Sequence, residues 1–248
     1  MNGTIERLLA HRSIRKYKPD VPVTQEQLET IIAAGQAAST SSNIQAYSIV
    51  GVTDPERKAR LAELAGNQKH IVECPQFLVW CADLNRLQTA AKLHDADAEI
   101  HMTTEAFVLA TVDTALAAQN AAVAAESLGF GIVYIGGIRN NPRDVAQLLQ
   151  LPKLVYPLFG MCIGVPDQEP DHRPRLPLSA VYHRESYSGE VIEDGIRQYD
   201  ETMQAYYNSR AGGGRDTVWS KEVAARMAQG PLRPHLHDFL HGQGFRLI

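Results

Sequence analysis

Cysteine is scarce in this sequence, since its 248 residues include only Cys74, Cys81 and Cys162. An odd number of cysteines without CxxC spacing excludes a disulfide framework and a zinc knuckle. Two of the three lie in apolar runs, where a buried thiol is the usual state. We therefore expect a protein of a reducing compartment and predict a cytoplasmic location.

The sequence also has no excess of positively charged residues. The 24 Lys and Arg residues are outnumbered by 28 Asp and Glu residues, which gives a formal net charge of −4. Non-specific nucleic-acid binding needs a basic surface, so the composition argues against a nucleic-acid partner. A local cluster of basic residues can still bind a small anion.

No hydrophobic run is long and uninterrupted enough to indicate a membrane span. The N-terminal segment is amphipathic and basic, without the apolar core of a signal peptide. The most apolar stretch, residues 106–138, is interrupted by Asp113, Gln119, Asn120 and Glu126. A buried core helix is therefore the better interpretation, and we expect no membrane partner.

What is present is the balance of a globular protein, with 44% hydrophobic and 21% charged residues. Helical and strand patterns alternate irregularly, which indicates a mixed α/β or α+β fold with one core. Thr24 and Gln27 form a capping-box pattern that predicts a helix to about residue 38. The longest predicted helix covers residues 105–128 and is apolar nearly all round, which predicts a central position. Predicted strands cover residues 46–53, 77–82, 131–135 and 157–165.

The last 70 or so residues differ in character from the rest. Residues 166–177 are rich in proline and charge, and polar helical segments follow, separated by a glycine-rich loop at 211–214. This part shows no strand set or core of its own. We predict a single domain over residues 1–248, in which residues from about 178 to 248 are a C-terminal extension that wraps the core.

A basic cluster follows the first predicted helix. His11, Arg12, Ser13 and Arg15 lie within five residues. Guanidinium groups offer a permanent charge and a fork of donors that suit a phosphate, and the serine hydroxyl adds a further donor. A solvated basic helix end, favoured by the helix dipole, is the alternative explanation.

A second basic pair lies in the proline-rich segment. Arg173 and Arg175 are two residues apart, and an extended chain would point both side chains to the same side. The pair is therefore a second candidate anion clamp. Two unrelated charges on a surface loop are the alternative.

Two loops have residue types that can line a ligand. Gly136 and Gly137 follow a predicted strand and would let backbone amides approach a ligand closely, although such pairs also form ordinary turns. Residues 39–43, followed by Gln45, are hydroxyl and amide residues that could line a sugar chain. An ordinary loop has the same composition.

Several common catalytic patterns are absent. The GxGxxG spacing, the Lys-Ser/Thr ending of a P-loop and the GxSxG elbow do not occur. His235, His237 and His241 do not predict a zinc site, because the first two would face different sides of a helix and no carboxylate or cysteine completes the set. We predict no metal site.

Five motifs occur in one order along nearly the whole chain: HRSIR at 11–15, STSSNIQ at 39–45, GNQKH at 66–70, YIGGIRNNP at 134–142 and PRLP at 174–177. Together they resemble the family of NADPH-dependent flavin reductases and oxygen-insensitive nitroreductases. The resemblance implies an α+β fold in which a central mixed sheet is flanked by helices. It also implies an intertwined homodimer, with the long helix at the interface and two FMN molecules in clefts between the subunits.

The resemblance implies a role for each matching residue. The phosphate, ribityl chain and pyrimidine edge of FMN would be held by His11, Arg12, Ser13 and Arg15. The phosphate clamp would be completed by Arg173 and Arg175, the first of which stands where the family often has Lys. The flavin would be lined from one side by Ser39, Thr40, Ser41 and Gln68. Backbone amides would reach the reactive edge of the flavin from Ile135, Gly136 and Gly137.

The implied reaction is a ping-pong, two-electron transfer from NADPH, with NADH as the alternative donor, to a nitroaromatic, a quinone or free flavin. Such chemistry takes place at flavin N5, so the resemblance implies no catalytic side chain. Candidate contacts to substrate or NADPH are Asn43, Arg210 and Arg215. Two other functions stay open: a flavin reductase that supplies reduced FMN to a partner, and a non-catalytic flavin-binding redox sensor.

Overall fold

The computed structural model describes residues 2–96, 99, 103–209 and 216–248. The chain forms two compact units. The first contains residues 1–170 together with residues 235–248, and the second contains residues 171–234. The C-terminal end of the chain thus belongs to the same unit as the N-terminal end.

The first unit is built on a four-stranded sheet. Its strands are β1 (Tyr47–Val52), β2 (Gln76–Asp83), β3 (Gly131–Ile135) and β4 (Val155–Gly164). They lie in the order β1-β2-β4-β3, and each neighbouring pair is antiparallel. The sheet was expected to be mixed, but the parallel component among the described residues is a single bridge between Ser13 and Ile132.

Helices surround this sheet and form most of the second unit. In chain order they are α1 (Gly3–Leu9), α2 (Gln25–Gln36), α3 (Pro55–Leu64), α4 (Lys69–Glu73), α5 (Asn85–Lys92), α6 (Thr104–Ser127), α7 (Pro142–Leu148), α8 (Glu190–Ser209), α9 (Trp219–Ala228) and α10 (Leu236–Gln243). The predicted capping box is confirmed, because Thr24 Oγ1 accepts from Gln27 N at 3.2 Å and Gln27 Oε1 accepts from Thr24 N at 3.0 Å.

The long helix α6 packs on one face of the sheet. Its alanines allow close approach, and Gly35 of α2 comes so near that a Cβ there would lie 3.1 Å from Ala117 O. The expected central position holds for one side only, because Val108, Val112 and Leu116 are 45–48% exposed. By length and composition α6 could cross a membrane, but 44% of its most apolar window is buried inside the protein.

The second unit has a small hydrophobic core. The sequence analysis predicted no separate core for this part of the chain. Tyr199, Met203 and Tyr207 lie along one side of α8 and are buried together. Leu176 and Trp219 pack against them. A polar helix with one apolar stripe at a spacing of four residues is enough to gather these side chains.

Candidate functional site

The segment of residues 12–18 runs beside the sheet after α1 has ended at Leu9. Ile14 N donates to Ile132 O at 2.9 Å, and Lys18 N donates to Val165 O at 2.9 Å. Ile14 is buried, and the buried Tyr17 hydroxyl donates to its carbonyl at 2.6 Å. Burial raises the pKa of Tyr17, so this phenol stays protonated and keeps its bond. The backbone between the predicted phosphate-binding residues is therefore fixed.

Two of these residues contact carboxylates. His11 Nδ1 lies 2.6 Å from Glu126 Oε1, and the Glu126 side chain is only 10% exposed. Arg12 Nη1 donates to Pro170 O at 3.1 Å and lies 3.3 Å from Glu169 Oε1. Glu169 is largely exposed, so that ion pair is weak, whereas the pair at His11 is part-buried.

Gln68 and Gly137 lie together at the start of α4. Gln68 Nε2 donates to Ala65 O at 2.8 Å, and a Cβ on Gly137 would lie 2.4 Å from that nitrogen. Burial lowers the pKa of His70 on the same helix, and the charge of Arg15 lowers it further. The imidazole is therefore neutral, and its Nε2 is a buried atom without a hydrogen-bond partner among the described residues.

The loop of residues 39–46 is held by a buried carboxylate. Asp113 of α6 is 1% exposed, and its two oxygens accept from Ser41 N at 3.0 Å and from Ala46 N at 3.1 Å. Ser42, Asn43 and Gln45 have φ values of 48°, 57° and 55°. Such left-handed residues are unfavourable unless the surroundings impose them, and Asp113 bonds both ends of the stretch.

We expect Asp113→Asn to lower the free energy of unfolding by about 1.5 kcal/mol, because one buried N–H loses its charged acceptor. Amide hydrogen exchange should become faster at Ser41 and Ala46, and urea denaturation would give the stability. The same substitution at the exposed Asp20 provides the control. Unchanged exchange at both amides would contradict the role of Asp113.

The predicted flavin-lining loop and the basic segment are far apart within one chain. The loop is anchored at residue 113 of α6 and His11 is bonded at residue 126. These positions are separated by 126 − 113 = 13 residues, about 20 Å along a helix. One protomer therefore does not bring Ser39, Thr40 and Ser41 next to His11.

The structure places the remaining predicted site residues in different environments, and two of them lie outside the described part of the chain. Arg173 and Arg175 are exposed, and Pro174 and Leu176 between and after them are partly buried, as in an extended segment with both arginines on one side. Arg210 and Arg215 lie outside the described residues. Asn43 is exposed, and Gln45 Nε2 lies 3.3 Å from its carbonyl oxygen.

The glycine pair lies where β3 ends. Ile135 is the last residue of that strand, and a short 3-10 helix follows over Gly136–Arg139. Ile135 and Gly137 are buried, whereas Gly136 is partly exposed. Within the described ranges, no group of three His, Cys, Asp or Glu residues could hold a metal ion.

Two carboxylates at the site were not predicted. Asp113 and Glu126 entered the sequence argument only as polar interruptions of an apolar run. The signal that could have found them is their place on α6, where neighbouring helical positions such as Ala117 and Ala122 are filled by buried alanine. A carboxylate at such a position needs a polar partner.

Comparison with known proteins gives consistent matches. The chain matches the Nitroreductase family over residues 8–165 and the Nitroreductase family, C-terminal domain, over residues 173–248. It is 48% identical over 244 residues to an NADPH-flavin oxidoreductase of Vibrio harveyi, which covers 98% of both chains. It is 44% identical over 246 residues to an oxygen-insensitive NADPH nitroreductase of Salmonella typhimurium, which covers 99% of both chains. The solved structure of the NADPH:FMN oxidoreductase from Vibrio harveyi complexed with NAD⁺ has a TM-score of 0.88 and 46% identity, with 99% of both chains covered.

Proposed function

This chain belongs to the nitroreductase family, and from that premise we propose that it is an FMN-dependent oxidoreductase that uses NAD(P)H to reduce nitroaromatics, quinones or free flavin. The observation that carries the proposal is identity of 44–48% over essentially the full chain to enzymes named for flavin and nitro-compound reduction. NADPH is the proposed donor, because both of those relatives are named for it.

The residues of the first unit fit a flavin phosphate. Arg12 and Arg15 supply two permanent positive charges. Ser13 adds a hydroxyl, and the backbone there is hydrogen-bonded to β3. The buried Nε2 of His70 has no hydrogen-bond partner among the described residues, and the charge of Arg15 acts on this ring. Such an orphaned polar atom is the kind that a bound ligand or water satisfies. When bound, FMN supplies the two-electron chemistry.

The residues of this chain bind FMN and the substrates and orient them. We assign the phosphate, ribityl chain and pyrimidine edge to His11, Arg12, Ser13 and Arg15, and the rest of the phosphate clamp to Arg173 and Arg175. The flavin is lined by Ser39, Thr40, Ser41 and Gln68, and by the backbone of Ile135, Gly136 and Gly137. Asn43 faces the pocket in which donor and oxidant bind in turn, and Arg210 and Arg215 contact NADPH.

A homodimer is part of the proposal. The two sets of flavin contacts are tied to points on α6 about 20 Å apart. A twofold axis beside this helix would bring the loop of one protomer towards the basic segment of its partner. The exposed apolar side chains of Val108, Val112 and Leu116 on α6 would be covered by the same contact.

A cytoplasmic location is also proposed. Cys74, Cys81 and Cys162 are free thiols and are buried. Their reduced state fits a reducing compartment.

The anaerobic visible spectrum of the purified protein tests the function. We expect flavin bands that bleach with one equivalent of NADPH and return when a nitroaromatic, a quinone or free FMN is added. Bands that neither NADPH nor NADH changes would favour a flavin-binding sensor. A colourless protein that takes up no added FMN would overturn the proposal, and titration with NADH in place of NADPH ranks the two donors.

A further inference from the structure

The position of Glu126 is unfavourable for a carboxylate in two respects. It lies in the last turn of α6, where the carbonyl end of the helix dipole disfavours a negative charge. It is also buried, with a residue exposure of 8%, although a carboxylate loses hydration there. A residue that violates two preferences in an alanine-rich helix needs a compensating contact, and such positions are often functional.

The compensating contact is His11. Its Nδ1 lies 2.6 Å from Glu126 Oε1, a short hydrogen-bond distance. His11 lies two residues beyond Leu9, where α1 ends, and its backbone N–H bonds to Leu8 O at 3.4 Å. The contact joins residues 115 positions apart in the sequence, so it fixes the start of the basic segment to the end of α6.

The chemistry of the pair fixes the imidazole. A carboxylate accepts hydrogen bonds, so we assign the ring proton to His11 Nδ1, where it points to Glu126. Nε2 lies on the opposite side of the ring and therefore points away from Glu126. The ring plane and the assignment of the proton are then both determined, as for the carboxylate–histidine pairs that orient ligands in other binding sites.

We propose that Glu126 is a positioning residue of the cofactor site, which orients His11 so that Nε2, the acceptor nitrogen of a ring protonated on Nδ1, accepts a hydrogen bond from a hydroxyl of the FMN ribityl chain. This inference rests on the proposed function, since it assumes that the basic segment binds FMN. Glu126 itself does not touch the cofactor. Its contribution is to hold the His11 ring ready before FMN arrives.

The test measures the dissociation constant of FMN by fluorescence quenching in the full-length protein. We expect Glu126→Leu to raise this constant about tenfold, because the Nδ1–H loses its acceptor and the ring turns. Glu126→Gln keeps an acceptor oxygen and should stay within about threefold of the unchanged protein. Glu56→Leu makes the same substitution at an exposed position of α3 and should have no effect.

A spectroscopic measurement separates positioning from mere stability. The ¹⁵N chemical shifts of the His11 ring should show a proton on Nδ1 in the unchanged protein and in Glu126→Gln. A ring without a proton on Nδ1 would overturn the inference even if Glu126→Leu does not fold. FMN binding by folded Glu126→Leu that equals that of the unchanged protein would also overturn it. Failure of the unchanged protein to bind FMN would instead overturn the proposed function.

Discussion

The double variant Arg12→Ala, Arg15→Ala is expected to bind FMN about a thousandfold more weakly than the unchanged protein. A hydrogen bond to a charged group contributes about 1.5–3 kcal/mol, so two lost contacts amount to about 3–6 kcal/mol. At about 1.4 kcal/mol per tenfold change, a loss near the middle of that range gives a factor of about a thousand. Fluorescence titration with FMN measures the change.

Two neighbouring lysines provide a matched control for that variant. Lys16→Ala, Lys18→Ala removes the same number of positive charges from the same segment, and both lysines are exposed. If FMN were held only by non-specific electrostatic attraction to this basic segment, both double variants would weaken FMN binding equally. Circular dichroism should accompany the titration, because Arg12 also donates to Pro170 O. Equal effects of the two double variants would contradict the specific phosphate contacts.

Gly137→Ala is expected to lower the free energy of unfolding by about 3 kcal/mol and the Tm by about 6–12 °C. An added Cβ would lie 2.3 Å from Ala65 O and 2.4 Å from Gln68 Nε2. The carbonyl belongs to the main chain just after α3, so it cannot move aside as the end of a flexible side chain can. The turn that carries Gln68 would have to shift, and FMN affinity should fall with stability.

The adjacent glycine is the natural control. A Cβ on Gly136 would meet Arg139 Nη2 at 3.5 Å, which is an ordinary contact. Gly136→Ala should therefore change the Tm by less than about 3 °C. Thermal melts of both variants, followed by circular dichroism, decide the point. A Gly137→Ala protein as stable as the unchanged one would show that residues 65–68 can relax freely.

The strands and helices of the first unit could be predicted because their signals are local. Continuous apolar runs predicted β2 and β4, and Gly129, with φ of +87°, ends α6 as expected. The order β1-β2-β4-β3 depends on pairing between distant segments, which no local pattern specifies. The helix α4 has only five residues and was missed for that reason.

The residues of the candidate site also fall into a group that local sequence predicts and a group that it does not. Residue types that suit a phosphate or a close backbone approach can be recognised in a short segment, as at Arg12 and Gly137. The carboxylates that support the site act over 72 positions from Asp113 to Ser41 and over 115 positions from Glu126 to His11. Spacing along the chain carries no information about such contacts, because they depend on how α6 packs.

The anchoring of the 39–46 loop has a consequence for how the enzyme can evolve. Its backbone is fixed from outside by Asp113, and Arg86 also donates to Gln45 O at 3.0 Å. The side chain of Asn43, which we propose faces the pocket, is not one of the groups that hold the loop from outside, although its Oδ1 accepts from Gln45 Nε2 at 3.4 Å. Most replacements at position 43 would cost only about 1–2 kcal/mol for the left-handed backbone. Natural variation can therefore change which oxidants the pocket accepts while leaving the cofactor site as it is.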